Sequence, residues 1–214
     1  MIQESRLIKT AFILAIVTIT YNILEGLVSI YYGMEDETLA LLGFGVDSFV
    51  EVISGIGILH LVWRMKYSAV SRRDQFERQA LKITGFAFYL LTAGLIVGAV
   101  FNIINDIKPD TTIVGIIISS ISILTMYVLM TFKLKVGKAL NSDAIIADAN
   151  CTKTCFYLSF ILLASSLLYE LTGIGYIDIA GSLGVAWFAF KEGKEAFDKS
   201  KSESLSCCCN DGCH

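Results

Sequence analysis

Residues 112–133 read TIVGIIISSISILTMYVLMTFK, a run whose only charge is Lys133 at its end. A helix that crosses a bilayer needs about 20 predominantly apolar residues, and this run meets that length without interruption. It does not alternate apolar with polar residues, as the strand of a membrane barrel must. The stretch therefore predicts a transmembrane helix and argues against a β-barrel. Five more runs of the same kind lie along the chain, at about 8–32, 38–63, 80–104, 144–171 and 177–190. The last is short for a span, and helical periodicity carries it to about Phe197.

The composition agrees. The chain has 214 residues, of which 55% are hydrophobic and 17% charged, with a mean hydropathy of +0.65. A soluble domain carries closer to a quarter charged residues, because its surface meets water. The net charge of -3 and the absence of a basic stripe interleaved with aromatics exclude a nucleic-acid partner. The N-terminal apolar run is too long for a signal-peptide core and has no clear small-residue cleavage site.

Fifteen of the seventeen Lys and Arg residues fall at or before the start of the first run, in or at the edges of the second and fourth connections (including Lys133, Lys135 and Lys138) or after the sixth run. Only Lys108 and Lys153 lie elsewhere. By the positive-inside rule that places both termini in the cytoplasm. The expected fold class is all-α, a polytopic membrane protein built as a six-transmembrane-helix bundle. Residues 1–198 form the membrane domain. The polar, cysteine-rich remainder, 199–214, is too short to bury a core of its own.

Ionisable groups inside a bilayer are costly, so each is a functional hypothesis. Asp47 and Glu51 stand four apart in the second run, on one helical face and about 6 Å apart along the axis. Two dehydrated carboxylates so close do not both ionise comfortably unless a cation lies between them. Cys151 and Cys155 repeat the four-residue step in the fifth run, with Asp148 on the same stripe. Two carboxylates and two thiols offer four donors, a set that suits Zn²⁺ or a softer congener. Asp148 is a candidate fifth ligand, relay or proton acceptor. The cysteines can also be read as small core hydrophobes. Lys153 points away from the stripe.

Asn22 and Glu25 either line the same cavity or tie helices together. His60 reads as an interfacial histidine, Glu170 and Asp178 as groups at the outer ends in water, and Gly55, Gly57, Gly94, Gly98 and Gly181 as packing positions. None of the six cysteines pairs to staple distant loops, so metal or thiol chemistry is expected in place of a disulfide framework. Cys207, Cys208, Cys209, Cys213 and His214 crowd the C-terminal end. They suggest a metal-capture tail, with S-acylation and an inert tail as alternatives.

Several stretches together carry a family resemblance: Asn22-x-x-Glu25-Gly26, Leu41-Leu42-Gly43-Phe44-Gly45-Val46-Asp47-Ser48, the basic 76–82 segment, Ser142-Asp143-Ala144, Ala147-Asp148-Ala149 and Glu192-Gly193. Over about residues 8–197 the chain resembles the cation diffusion facilitators, six-helix metal/proton antiporters that work as homodimers. The resemblance implies that Asp47 and Glu51 are metal ligands. It also implies that Cys151 and Cys155 stand where the family usually has His and Asp, which favours Cd²⁺ or Hg²⁺ over Zn²⁺. The family's cytoplasmic ferredoxin-like domain has no counterpart in the matched stretch, so a homodimer would be held by membrane helices alone.

The reading is a proton-coupled exporter of a soft divalent cation, with metal and protons as its cargo. No catalytic or cofactor-binding residue is expected, and the setting is the plasma membrane of a prokaryote. A membrane thiol oxidoreductase using Cys151 and Cys155 is the rival, and a scaffold without transport is the third alternative. Redox dithiols typically show Cys-x-x-Cys spacing, and the carboxylate pair has no task in such an enzyme.

Overall fold

The structure, a computed structural model, describes residues 2–67, 73–140 and 143–201. The cysteine-rich tail lies outside the described residues. Among the described residues six helices follow one another: α1 Ile2–Glu35, α2 Leu39–Tyr67, α3 Arg73–Asn105, α4 Ile113–Ala139, α5 Asp143–Thr172 and α6 Tyr176–Lys201. No strand occurs among the described residues. Each expected run became a helix, and most extend beyond their apolar stretch. Residues 64–67 continue α2, and 133–139, with Lys133, Lys135 and Lys138, belong to α4. The fourth connection is therefore shorter than the charge pattern suggests, because lysines are good helix formers once a helix is nucleated.

The helices form a closed ring in the order α1, α2, α3, α6, α5, α4, with α2 also touching α5 and α6 across the interior. Lipid is the only solvent that suits the outside. Leu24, Val97, Leu124 and Trp187 are each at least 60% exposed, far more apolar surface than a soluble monomer presents. Among the described residues five helices are long and apolar enough to cross a membrane by length and composition: Arg6–Glu35, Leu39–Gly57, Lys82–Asn105, Ile113–Ala139 and Cys151–Thr172. The second half of α6 is too charged to meet that measure, yet Leu183, Trp187 and Phe190 expose an apolar face like its neighbours. The chain is an integral, multi-pass, all-α membrane bundle.

The two ends of the bundle differ. Both termini of the described chain lie with the basic connections, where Ala11 of α1 packs on Val136 and Ile145 and Phe197 of α6 lies against Gly85. The opposite end carries Glu35, Asp36, Glu37, Asp106 and Asp110, and carboxylates tie it shut. Asp178 accepts from the backbone N–H of Leu39 at 2.8 Å and of Ala40 at 3.3 Å. Glu170 accepts from the Thr112 N–H and hydroxyl, both at 3.1 Å. Asp178, expected to face water, is buried, whereas Glu170 is exposed as expected; both cap the starts of α2 and α4, where orphan N–H groups and the positive helix end favour a carboxylate. Tyr169 adds a hydrogen bond to the Pro109 carbonyl.

The apolar core fills the half of the bundle near this acidic end. Leu41, Phe44, Leu91, Leu95, Leu158, Leu162 and Val185 form its centre. α1 and α2 cross closely. A Cβ built on Gly45 would stand 2.8 Å from Ser29 Cβ and 2.9 Å from the Ile30 backbone nitrogen. One on Gly26 would stand 2.8 Å from Phe49. Gly94, expected to mark a helix contact, has nothing within 4 Å and is not a packing position. Gly45→Val should therefore destabilise the bundle by about 2 kcal/mol through overpacking. Gly94→Ala should be neutral or stabilising by up to about 1 kcal/mol. Thermal unfolding of both variants in detergent measures the difference, and equal melting would discount the crossing.

Candidate metal site

Asp47 and Glu51 lie one turn apart on α2, and Cys155 comes from α5 to meet them. Its Sγ is 3.6 Å from Asp47 Oδ2 and donates to Glu51 Oε1. Asp47 is 2% exposed and Cys155 5%. The second oxygen of Glu51 accepts from Asn22 Nδ2 of α1 at 2.8 Å. The remaining oxygen of Asp47, Oδ1, is buried with no hydrogen-bond partner, as is Asn22 Oδ1. A buried acceptor left unsatisfied forfeits its desolvation cost, so Asp47 Oδ1 is a place where a ligand would be stabilised.

Asp47, Glu51, Cys151, Thr154, Cys155 and Glu192 line one cavity of about 50 Å³, with Thr84 and Ala196 towards the basic end. Four of the five residues predicted for the membrane site thus share a cavity. Cys151 is partly exposed and Cys155 buried, and both are thiols with no disulfide between them. Among the described residues no three His, Cys, Asp or Glu side chains form a ready-made coordination cage. The donors touch one another instead, so an arriving ion would have to part Cys155 from the carboxylates.

The fifth predicted residue goes elsewhere. Asp148 is held by Lys133 Nζ of α4 at 2.8 Å, with both side chains buried, and it does not line the cavity. Lys133 also donates to Thr152 Oγ1 at 3.0 Å. A charge count assigns Lys133 to a connection, but the structure buries it inside the bundle. Its four-carbon stem lets it reach inward as easily as outward, which such a count does not distinguish.

Glu25 makes a separate polar knot, accepting from Tyr21 OH at 2.8 Å and Ser48 Oγ at 3.2 Å. Neither Glu25 nor Asn22 lines the cavity. Lys153 is exposed, with its ammonium 5.8 Å from the centre of the Tyr157 ring, a cation–π contact. His60 stacks edge-on against Trp63 with ring centres 6.5 Å apart. The sequence reading named Glu192 only within a stretch that carries the resemblance and gave neither it nor Thr154 a place in the site, yet both line the cavity and are joined by a 3.0 Å hydrogen bond. Glu192 sits in a run of alternating Lys and Glu that reads as a solvated helix end.

No protein-family model matches the chain. It is 32% identical over 190 residues to an uncharacterized transporter of Methanocaldococcus jannaschii, in a match that takes in 86% of this chain and 65% of that protein. It is 26% identical over 144 residues to Transmembrane protein 163 of Xenopus laevis, covering 67% of this chain and 50% of that protein. The chain thus spans just under two thirds and one half of the length of these relatives.

Removing one partner of a buried ion pair leaves an uncompensated charge at a cost of about 3–5 kcal/mol. Lys133→Met should therefore lower stability by about that much, and Lys133→Met/Asp148→Leu should recover most of it. Chemical unfolding in detergent tests this, and a double variant no better than the single one would mean the pair is not the unit.

Proposed function

We propose that the chain is a secondary transporter that carries a soft divalent cation across the membrane in exchange for protons. The observation that carries this reading is the meeting of Asp47, Glu51 and Cys155 inside a lipid-facing bundle, with Asp47 Oδ1 buried and unsatisfied. The likeness to a protein named a transporter supports transport in general. The resemblance to the cation diffusion facilitators supports a metal as cargo.

The chemistry follows from the donors. Carboxylate and thiol bind a metal only after losing their protons, so proton and metal compete for the same atoms. With the ligands protonated, Cys155 donates to Glu51 as observed. With metal bound, the ion replaces the shared proton and its charge offsets the two carboxylates. Sulfur favours Cd²⁺, Hg²⁺ or Zn²⁺ over hard cations. The cavity lies towards the basic end, and the acidic end is tied by Asp178 and Glu170. If the basic end is cytoplasmic, as the positive-inside rule has it, this is an inward-facing state loading metal for export. Rocking to an outward-facing state would release the ion to protons arriving from the other side. The membrane would be the plasma membrane of a prokaryote and the assembly a homodimer held by its helices.

The thiol oxidoreductase reading draws less support. Cys155 is buried against two carboxylates, whereas reactive cysteines sit in electropositive, partly exposed surroundings.

Asp47→Asn and Glu51→Gln should each abolish Cd²⁺ and Zn²⁺ flux in proteoliposomes while the protein remains inserted and monodisperse. Flux at the unaltered level from either variant would remove these residues from the site. Cys151→His/Cys155→Asp should shift the ranking of metals from Cd²⁺ towards Zn²⁺, because imidazole and oxygen replace sulfur. A competition series across divalent ions measures it, and an unchanged ranking means the thiols do not touch the ion.

A further inference from the structure

Resting on that reading of transport, we infer that Glu192 of α6 is the capture carboxylate at the inner mouth of the site, the first protein charge an ion meets before it passes to Asp47, Glu51 and Cys155. Three features of the cavity point to it. Glu192 lines the same cavity as the deep donors, yet it is partly exposed where Asp47 and Cys155 are buried. Cys151, equally a lining residue, is also partly exposed. Asp47 and Cys155 are thus withdrawn from the surface, while Glu51 of the same trio, like Cys151 and Glu192, keeps part of its own open.

The second feature is position. Glu192 Oε1 accepts from Thr154 Oγ1 at 3.0 Å, which fixes the carboxylate beside the α5 turn that carries Cys151 and Cys155. The lining continues to Ala196 and Thr84, residues of the basic half of α6 and α3, so Glu192 stands between that end and the trio.

The third feature is size. A cavity of about 50 Å³ holds only a few waters at about 10–15 Å³ each. A divalent ion must therefore exchange hydration water for protein donors on its way in. A partly exposed carboxylate next to a thiol is suited to that exchange, and its negative charge raises the local cation concentration at the mouth. The unsatisfied Asp47 Oδ1 then draws the ion onward. Glu192 acts on loading, and the trio sets how tightly the ion is held.

The test is the rate of Cd²⁺ binding to the full chain in lipid nanodiscs. Stopped-flow mixing would follow the ultraviolet thiolate-to-Cd²⁺ charge-transfer band. Electrostatic focusing in a cleft changes on-rates by about 10–1,000-fold, and the low end is expected for one charge. Glu192→Gln should slow association about tenfold, leave dissociation within about twofold and flatten the dependence on salt. Glu192→Asp, which keeps the charge, should stay within about threefold of the unaltered chain. Glu192→Ala is a second removal with the same expectation as Gln, should the latter fail to fold. Association as fast in Gln and Ala as in the unaltered chain overturns the capture role. So does a variant altered only in dissociation, or an Asp variant as slow as Gln. If the unaltered chain gives no Cd²⁺ signal, the transport reading itself falls, an outcome distinct from the other three.

Discussion

Three acidic side chains, Asp47, Glu51 and Glu25, are packed inside a bundle whose outer surface is made for lipid, and no lysine or arginine among the described residues is hydrogen-bonded or ion-paired to them. An ion taken out of water costs several kcal/mol even after the protein relaxes, so each carboxylate must be served by neutral donors. Asn22 and Cys155 serve Glu51, Cys155 also approaches Asp47, and Tyr21 and Ser48 serve Glu25. Among the described residues, the one buried ammonium group, Lys133, is already committed to Asp148. What this arrangement lacks is positive charge at the centre, and a divalent ion would supply it.

Much of the packing follows from that need. Asp47 and Glu51 sit on α2, so α2 must be enclosed on all sides. Glycines let α1 approach closely enough for Asn22 and Glu25 to reach the polar face of α2. From the other side α5 brings Cys155, and behind α5 the Lys133–Asp148 pair joins it to α4. The large apolar side chains are displaced towards the acidic end, where Phe44, Leu41, Leu158 and Leu162 fill the space. That division leaves the cavity that holds the donors in the basic half and an apolar core in the other. At the rim of that core carboxylates cap the helix starts, and interactions of that kind are worth about 0.5–2 kcal/mol each. Under the proposed function, a metal held by thiolate and carboxylate would be bound more strongly than that, enough to reorganise that end.

The sequence read alone went far for this chain because the bilayer restricts what can be built. Every backbone polar group in lipid must be satisfied within its own element, so long apolar runs can only become helices, and all six did. Asp47 and Glu51 were recognisable as partners from a four-residue step within one helix, and Cys151 and Cys155 likewise, since the helical period is local. That the two pairs share one cavity is a fact of how α2 and α5 cross. The same local rule misled at Asp148. It lies on the stripe of the cysteines, yet Lys133 from another helix claims it.

The class of fold, the number of helices and the residue types able to bind a soft cation were all written in the order of residues. Each follows from hydrophobic run length and helical spacing, which act within a segment. Which donors meet and which are diverted was left to the packing of the bundle. Packing withdrew Asp148, drew Lys133 out of the basic count and turned Asp178 and Glu170 into helix caps. It also brought Glu192 into the cavity from a stretch that reads as a solvated helix end. Each of those outcomes depends on the angle and height at which one helix crosses another. That geometry is set by small residues such as Gly45 and Gly26 and by the volume of the core, quantities that belong to pairs of segments and to no single one.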